Sequence, residues 1–230
     1  MKDLLCNSVF FGVVVSIVGY ELGLFLKKKF NKAIFNPLLI SIIFVMITVV
    51  IYGVDFESYN NGAKYLSYLL TPATVCLAIP LYQQLDLLKN NLKAIMLGIF
   101  SGVVSSLTSI FLFSLVFQFT HEQYVTLLPK SITTAIGMGI SEELNGIVTI
   151  TVAVIIVTGI LGNIIAEITC KIFHIHEPIA KGIAIGTASH AIGTAKAMEM
   201  GEIEGAMSSL AIVVSGLLTV VGASIFANFI

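Results

Sequence analysis

The chain has 230 residues, of which 57% are hydrophobic and only 11% charged, with a formal net charge of −1 and no tryptophan. Soluble domains carry about 25% charged residues, so this composition does not suit water, and the absence of a basic stripe argues against nucleic acid as a partner. The lipid bilayer is the solvent that fits a mean hydropathy of +1.01.

Seven or eight membrane-embedded segments are predicted in one all-α, polytopic domain spanning 1–230, at about 4–26, 35–53, 65–82, 92–119, 127–145, 147–173, 179–201 and 203–230. A helical crossing needs roughly 20 apolar residues. The first segment supplies them with Glu21 as its one ionisable interruption. It ends at Lys27, Lys28 and Lys29, and a further apolar run follows, so it reads as a retained helix rather than a cleaved leader. Those lysines with Lys32 place the first loop in the cytoplasm and the N-terminus outside a cell membrane. The next loop carries Asp55 and Glu57 against Lys64 and suits the outer side. Later, Lys171 and Lys181 favour an inner loop only if 127–145 dips in and returns rather than crossing. With connections this short, function has to reside inside the membrane.

The segment 65–82 breaks the rule for an uninterrupted helix, because Pro72 and Pro80 each lack the amide donor a helix interior needs. Either the helix is interrupted there and its freed backbone groups line a wet cavity, or it is kinked for packing. The stretch 127–146, LLPKSITTAIGMGISEELNG, is irregular in another way. Set against 183–202 so that Ser131 meets Thr187, it brings Thr133 to Ser189, Ala135-Ile136-Gly137 to Ala191-Ile192-Gly193, and Glu143 to Glu199. Both stretches then lead into long apolar runs, the pattern of an internal repeat of interrupted or re-entrant helices. Gly98-Ile99 against Gly159-Ile160 is a fainter echo.

A half-helix ending inside the membrane turns unpaired N–H groups and a partial positive charge toward whatever lies there, so a pair of them suits an anion. On this reading Ser131, Thr133, Thr134, Thr187, Ser189, Thr194, His190 and Lys196 are the candidate substrate-binding residues. Pro72, Pro80, Gly137, Gly139, Gly186 and Gly193 are the candidate hinge or close-approach positions. Small residues also pack helices tightly, and Gly98 with Gly102, Gly182 with Gly186 and Gly201 with Gly205 have that spacing. His190 could exchange a proton during a transport cycle. Glu142, Glu143 and Glu199 are candidates for coupling or gating, with helix ends as the plainer role for the first two and an ion pair with Lys196 for the third. Glu202 and Glu204 are expected at the membrane surface, and His174 and His176 in a solvated loop. No metal site or cofactor is expected, since Cys6, Cys76 and Cys170 are scattered in apolar settings. An enzyme is not expected either: adjacent residues such as Ser189 and His190 point about 100° apart on a helix and cannot act as nucleophile and base.

The stretches LPKSITTAIGMGISEELNGI, VTGILGNIIAE and KGIAIGTASHAIGTAKAMEMGEIEGAMSSLAIVVSG, with PATVCLAIPLY upstream, resemble the LrgB/CidB family over nearly the whole chain. Ala135 and Asn145 depart from that pattern, where Pro and Gly are expected. The resemblance implies holin-like or antiholin-like control of murein hydrolases and cell lysis, beside a small membrane partner of the LrgA/CidA type. It also implies kinship with the C-terminal half of the plastidal glycolate/glycerate translocator and with handling of pyruvate-like acids. The residue pattern itself favours a secondary carrier of small monocarboxylates by alternating access, with a homo-oligomer as a further possibility. Pore formation or lysis control is the alternative reading.

Overall fold

The computed structural model describes residues 8, 10–30, 35–76 and 78–230. Among them every regular element is helical, as lipid demands of a chain that must satisfy its backbone groups within each segment. In chain order these are α1 (Phe10–Phe30), α2 (Pro37–Tyr52), α3 (Phe56–Ser67), α4 (Leu70–Cys76), α5 (Ala78–Gln83), α6 (Leu85–Phe117), α7 (His121–Leu127), α8 (Thr134–Glu143), α9 (Val148–Ile172), α10 (Pro178–Met200) and α11 (Glu202–Phe226), with a short 3-10 turn, Ala227–Phe229. Four are long and apolar enough to cross a membrane: α1, α6, α9 and α11 with its 3-10 extension, while α2 is apolar but shorter. Phe113, Val116, Leu217 and Val221 stand exposed on them. Large apolar side chains left outward in such numbers meet lipid tails, not water.

The chain divides into two compact units, Met1–Cys76 and Leu77–Ile230. In the first, α1 packs on α2 and α3 along a glycine face: Gly19 approaches Ser41 and Phe44, and Gly23 approaches Pro37. A polar pair, Ser16 Oγ to Tyr59 OH at 2.8 Å, ties α1 to α3. The Asn36 side chain caps α2 by accepting from the amides of Leu38 (2.9 Å) and Leu39 (3.2 Å). Gly53 closes the helix with a left-handed φ of 58° that a Cβ would resist. The Asp55 carboxylate then caps α3 through the Ser58 amide at 3.0 Å.

The apolar run 65–82 is not one helix. The helix α3 ends at Ser67 and α4 begins at Leu70, so Pro72 stands third in α4, in a first turn where a helix has no intrahelical use for the missing amide, while Pro80 lies in α5. Residue 77 between them, like Cys6 and Lys32, lies outside the described residues.

In the second unit, α6 buries a stripe of Ile95, Ile99, Val103, Leu107 and Ile110, spaced to share one helical face. The stripe meets Tyr124, Val125 and Leu128 from α7 and its end, and Met207, Ala211 and Ala223 from α11. The helices α10 and α11 lie against each other on small residues, with Gly186 facing Ser208 and Ala211, and Gly182 facing Glu204 and Met207. Close backbone approach of this kind supplies packing where lipid gives no hydrophobic drive.

Candidate functional site

Along α6 the serines Ser101, Ser105 and Ser109 recur every fourth residue, which places them on one side of an otherwise oily helix. That side borders a cavity of about 750 Å³, whose other walls are the α10 residues Ile183, Ala184 and Thr187 and the loop residues Lys130 and Ser131 between α7 and α8. Gly102 allows the approach of α10, since a Cβ there would meet Thr187 Cγ2 at 2.7 Å. Lys130 Nζ donates to Ser131 Oγ at 2.9 Å and reaches Ser106 Oγ at 3.4 Å. The two serine hydroxyls are 3.1 Å apart. Ser131 and Thr187 are buried, and Thr187 Oγ1 has no hydrogen-bond partner among the described residues.

Three residues beyond Thr187 along α10, the chain changes direction. His190 has φ 42° and ψ −142°, so the helix is broken in its middle at a residue that is neither Gly nor Pro. A non-glycine backbone there is strained and persists only where surrounding contacts hold it. Those contacts come from both neighbouring helices. His190 Nε2 donates to the Ile155 carbonyl at 3.0 Å, and Asn163 Nδ2 donates to the Ile192 carbonyl at 2.7 Å, both from α9. Thr194 Oγ1 donates to the His190 carbonyl at 3.0 Å and lies 2.7 Å from Ser208 Oγ of α11. Room for the break is cut by Gly159, which faces the His190 ring, and Gly162, which faces the Ser189 side chain.

The sequence-derived residues therefore separate into groups. Ser131 and Thr187 line the large cavity. Ser189 lines a smaller one, about 140 Å³, with Gly162 and the buried Cys170. Ala184 and Ala188 line both, so α10 forms a wall between the two cavities. His190 and Thr194 are buried in the helix break. Lys196 pairs with Glu167 at 2.6 Å and with Glu199 at 3.3 Å. Thr133 holds the N-cap position of α8 without a side-chain cap bond, Thr134 opens that helix, and Glu142 and Glu143 stand exposed at its end. Gly137 abuts Ile155, Gly139 faces open space, Gly186 packs on α11, and Gly193 lies against Ser189 and Ile185. Glu204 is buried rather than at a free surface, 3.9 Å from Lys181. Among the described residues no group of three His, Cys, Asp or Glu side chains could hold a metal ion.

Sequence reasoning overlooked Lys130 and the α6 serines. Their signal was present: hydroxyls repeating every fourth residue in a membrane-length helix, and a lysine adjacent to Ser131 in the irregular stretch.

The family model described as "LrgB-like family" matches residues 16–229. An "Antiholin-like protein LrgB" of Bacillus subtilis (strain 168) is 36% identical over 224 residues, covering 97% of this chain and 97% of the relative. Proteins of the same name from Bacillus cereus strains B4264 and AH187 are each 37% identical over 222 residues, with 96% of both chains covered. No solved structure matches this chain.

Proposed function

Because this chain belongs to the LrgB-like family, we propose that it is an antiholin-like protein of the cell membrane, restraining the murein hydrolase activity that leads to lysis. The observation that carries this reading is 36–37% identity, nearly end to end in both chains, to proteins named for antiholin-like action. A multi-pass architecture with lipid-facing helices accords with a role exerted within the membrane. In a bacterium lacking its own copy, expression of this chain lowers extracellular murein hydrolase activity on zymograms and slows autolysis. Unchanged activity with the protein verified in the membrane contradicts the proposal.

Finer features belong to the same proposal. The N-terminus lies outside with the first loop cytoplasmic, and seven or eight segments enter the membrane, some of them re-entrant. An internal repeat is supported by a coincidence of breaks. With Ser131 set against Thr187, the start of α8 after Thr133 and the restart of α10 after His190 fall at adjacent positions. Each short piece then runs into a long apolar helix, α9 or α11. A small LrgA/CidA-type membrane protein is the partner.

A second reading is favoured by one specific observation, the hydroxyl-lined cavity beside a broken helix. A secondary carrier of small monocarboxylates uses such parts, because interrupted helices supply backbone groups to a ligand and a place to flex. On this reading Ser131, Thr187 and Lys130 face the solute, and the segment around Ser189, His190 and Thr194 moves. Proteoliposomes then take up labelled glycolate and pyruvate saturably. Non-saturable entry of these acids, together with release of a trapped dye, contradicts the carrier.

A further inference from the structure

We infer that the cavity between α6, α10 and the loop carrying Lys130 is a binding site for a small organic monoanion, in which Lys130 supplies the charge that selects one negative charge over two. The inference deepens the carrier reading, but binding stands apart from flux.

Lys130 is half-buried, and its ammonium donates to the neutral hydroxyls of Ser131 and Ser106. Among the described residues no carboxylate lies within ion-pair distance of it, whereas the partly buried Lys181 and Lys196 of α10 have Glu204 of α11 and Glu167 of α9. A cation withdrawn from water is costly unless an anion or hydrogen bonds offset the loss. Two neutral hydroxyls accept from two of its three N–H donors and leave its charge unneutralised. A ligand anion accepts from the third and neutralises the charge.

Thr187 is the independent observation. Its hydroxyl is more than nine-tenths buried, lines the same cavity and has no partner among the described residues. Buried hydroxyls are seldom left unmade, and one that faces a cavity is poised for something the cavity holds. Ser131 and Ser106, already in contact with Lys130, complete a set of hydrogen-bonding groups for two carboxylate oxygens. The cavity volume, about 750 Å³, falls in the range of ligand sites and leaves space for waters around a small acid.

Charge number follows from the rest of the lining. Lys130 is the single cation among the described residues of the cavity, and Glu177 is among them too. One carboxylate neutralises Lys130. A second finds no cation and adds to the repulsion from Glu177 in surroundings of low dielectric.

The test is equilibrium binding of L-lactate and malonate, at pH 7.5, to the full chain in nanodiscs, by titration calorimetry. Wild type binds lactate at least tenfold more tightly than malonate. Lys130→Met lowers lactate affinity at least tenfold, and Lys130→Arg restores most of it. Thr187→Val, which removes no protein hydrogen bond, lowers affinity several-fold while the ligand-free melting temperature holds or rises. Glu177→Gln narrows the lactate–malonate gap. Equal binding of the two acids by wild type, or lactate binding unaltered in Lys130→Met, overturns the inference, as does a folded wild type that binds neither. Binding without flux in proteoliposomes contradicts the carrier alone, whereas saturable flux that survives Lys130→Met contradicts this site alone.

Discussion

At the scale of single residues, polar groups in this oily chain are distributed so that nearly every buried one is spent on a backbone carbonyl or another hydroxyl. Tyr124 illustrates it. Its ring is fully buried in the α6–α7–α11 core, and its hydroxyl donates to the Phe226 carbonyl at 2.9 Å, fastening α7 to the end of α11. Tyr124→Phe removes that bond and strands a carbonyl, at a cost of about 1–2 kcal/mol, read as a lower melting temperature of the purified protein. Burial pushes the phenol from its ordinary 10.0 up to about 12. A raised acid favours its protonated form in the fold. Its contribution is therefore complete below pH 10 and is lost as pH rises toward 12. The melting temperature of wild type falls toward Tyr124→Phe over that window, and a constant gap between the two across it contradicts the assignment. Asp55 works in the opposite direction, its bond to Ser58 holding the carboxyl below the usual range, so the α3 cap is kept at neutral pH and lost only on acidification.

At the scale of elements, two kinds of interruption have different causes. Pro72 sits where α4 begins and removes no intrahelical bond. Pro72→Ala therefore changes stability by no more than about 0.5 kcal/mol in thermal unfolding, against the roughly 3 kcal/mol expected of a proline relieved from a helix interior. The break in α10 is different, being imposed by α9 and α11 on a residue with ordinary helical preference. In a regular helix Ala is more stable than Gly by about 1 kcal/mol. At φ 42° the order inverts, because glycine alone adopts that conformation without strain. Both His190→Ala and His190→Gly lose the bond to Ile155, but the glycine variant melts at the higher temperature. If the alanine variant melts higher, the break is not held as described. This contrast also explains what could be read beforehand. The positions of α1, α2, α9 and α11 were legible because length and hydropathy are local properties. An interruption in 65–82 was legible from its prolines, but its position between Ser67 and Leu70 and the extension of α6 back to Leu85 were not, since hydropathy does not mark where a helix starts. Nothing local marks His190 as a break, because the groups that hold it, Ile155, Asn163 and Ser208, are remote in sequence.

At the scale of the whole molecule, four membrane-length helices among the described residues and a family shared nearly end to end describe a multi-pass membrane protein. The candidate site was half legible. Ser131 and Thr187 stood out as hydroxyls in irregular stretches, and they do share a cavity. Lys196 stood out as an embedded cation, yet Glu167 and Glu199 engage it, and the cation that faces the cavity is Lys130. Charge in a sequence is visible, whereas its neutralisation by a partner on another helix is a tertiary property. Antiholin-like action predicts a specific effect on a permeable membrane: the chain should oppose leakage rather than cause it. The most direct measurement is dye release from vesicles containing a small LrgA/CidA-type pore-forming partner, with and without this chain at equal partner density. The account predicts slower release when the chain is present. Release that is unchanged, or faster, contradicts it.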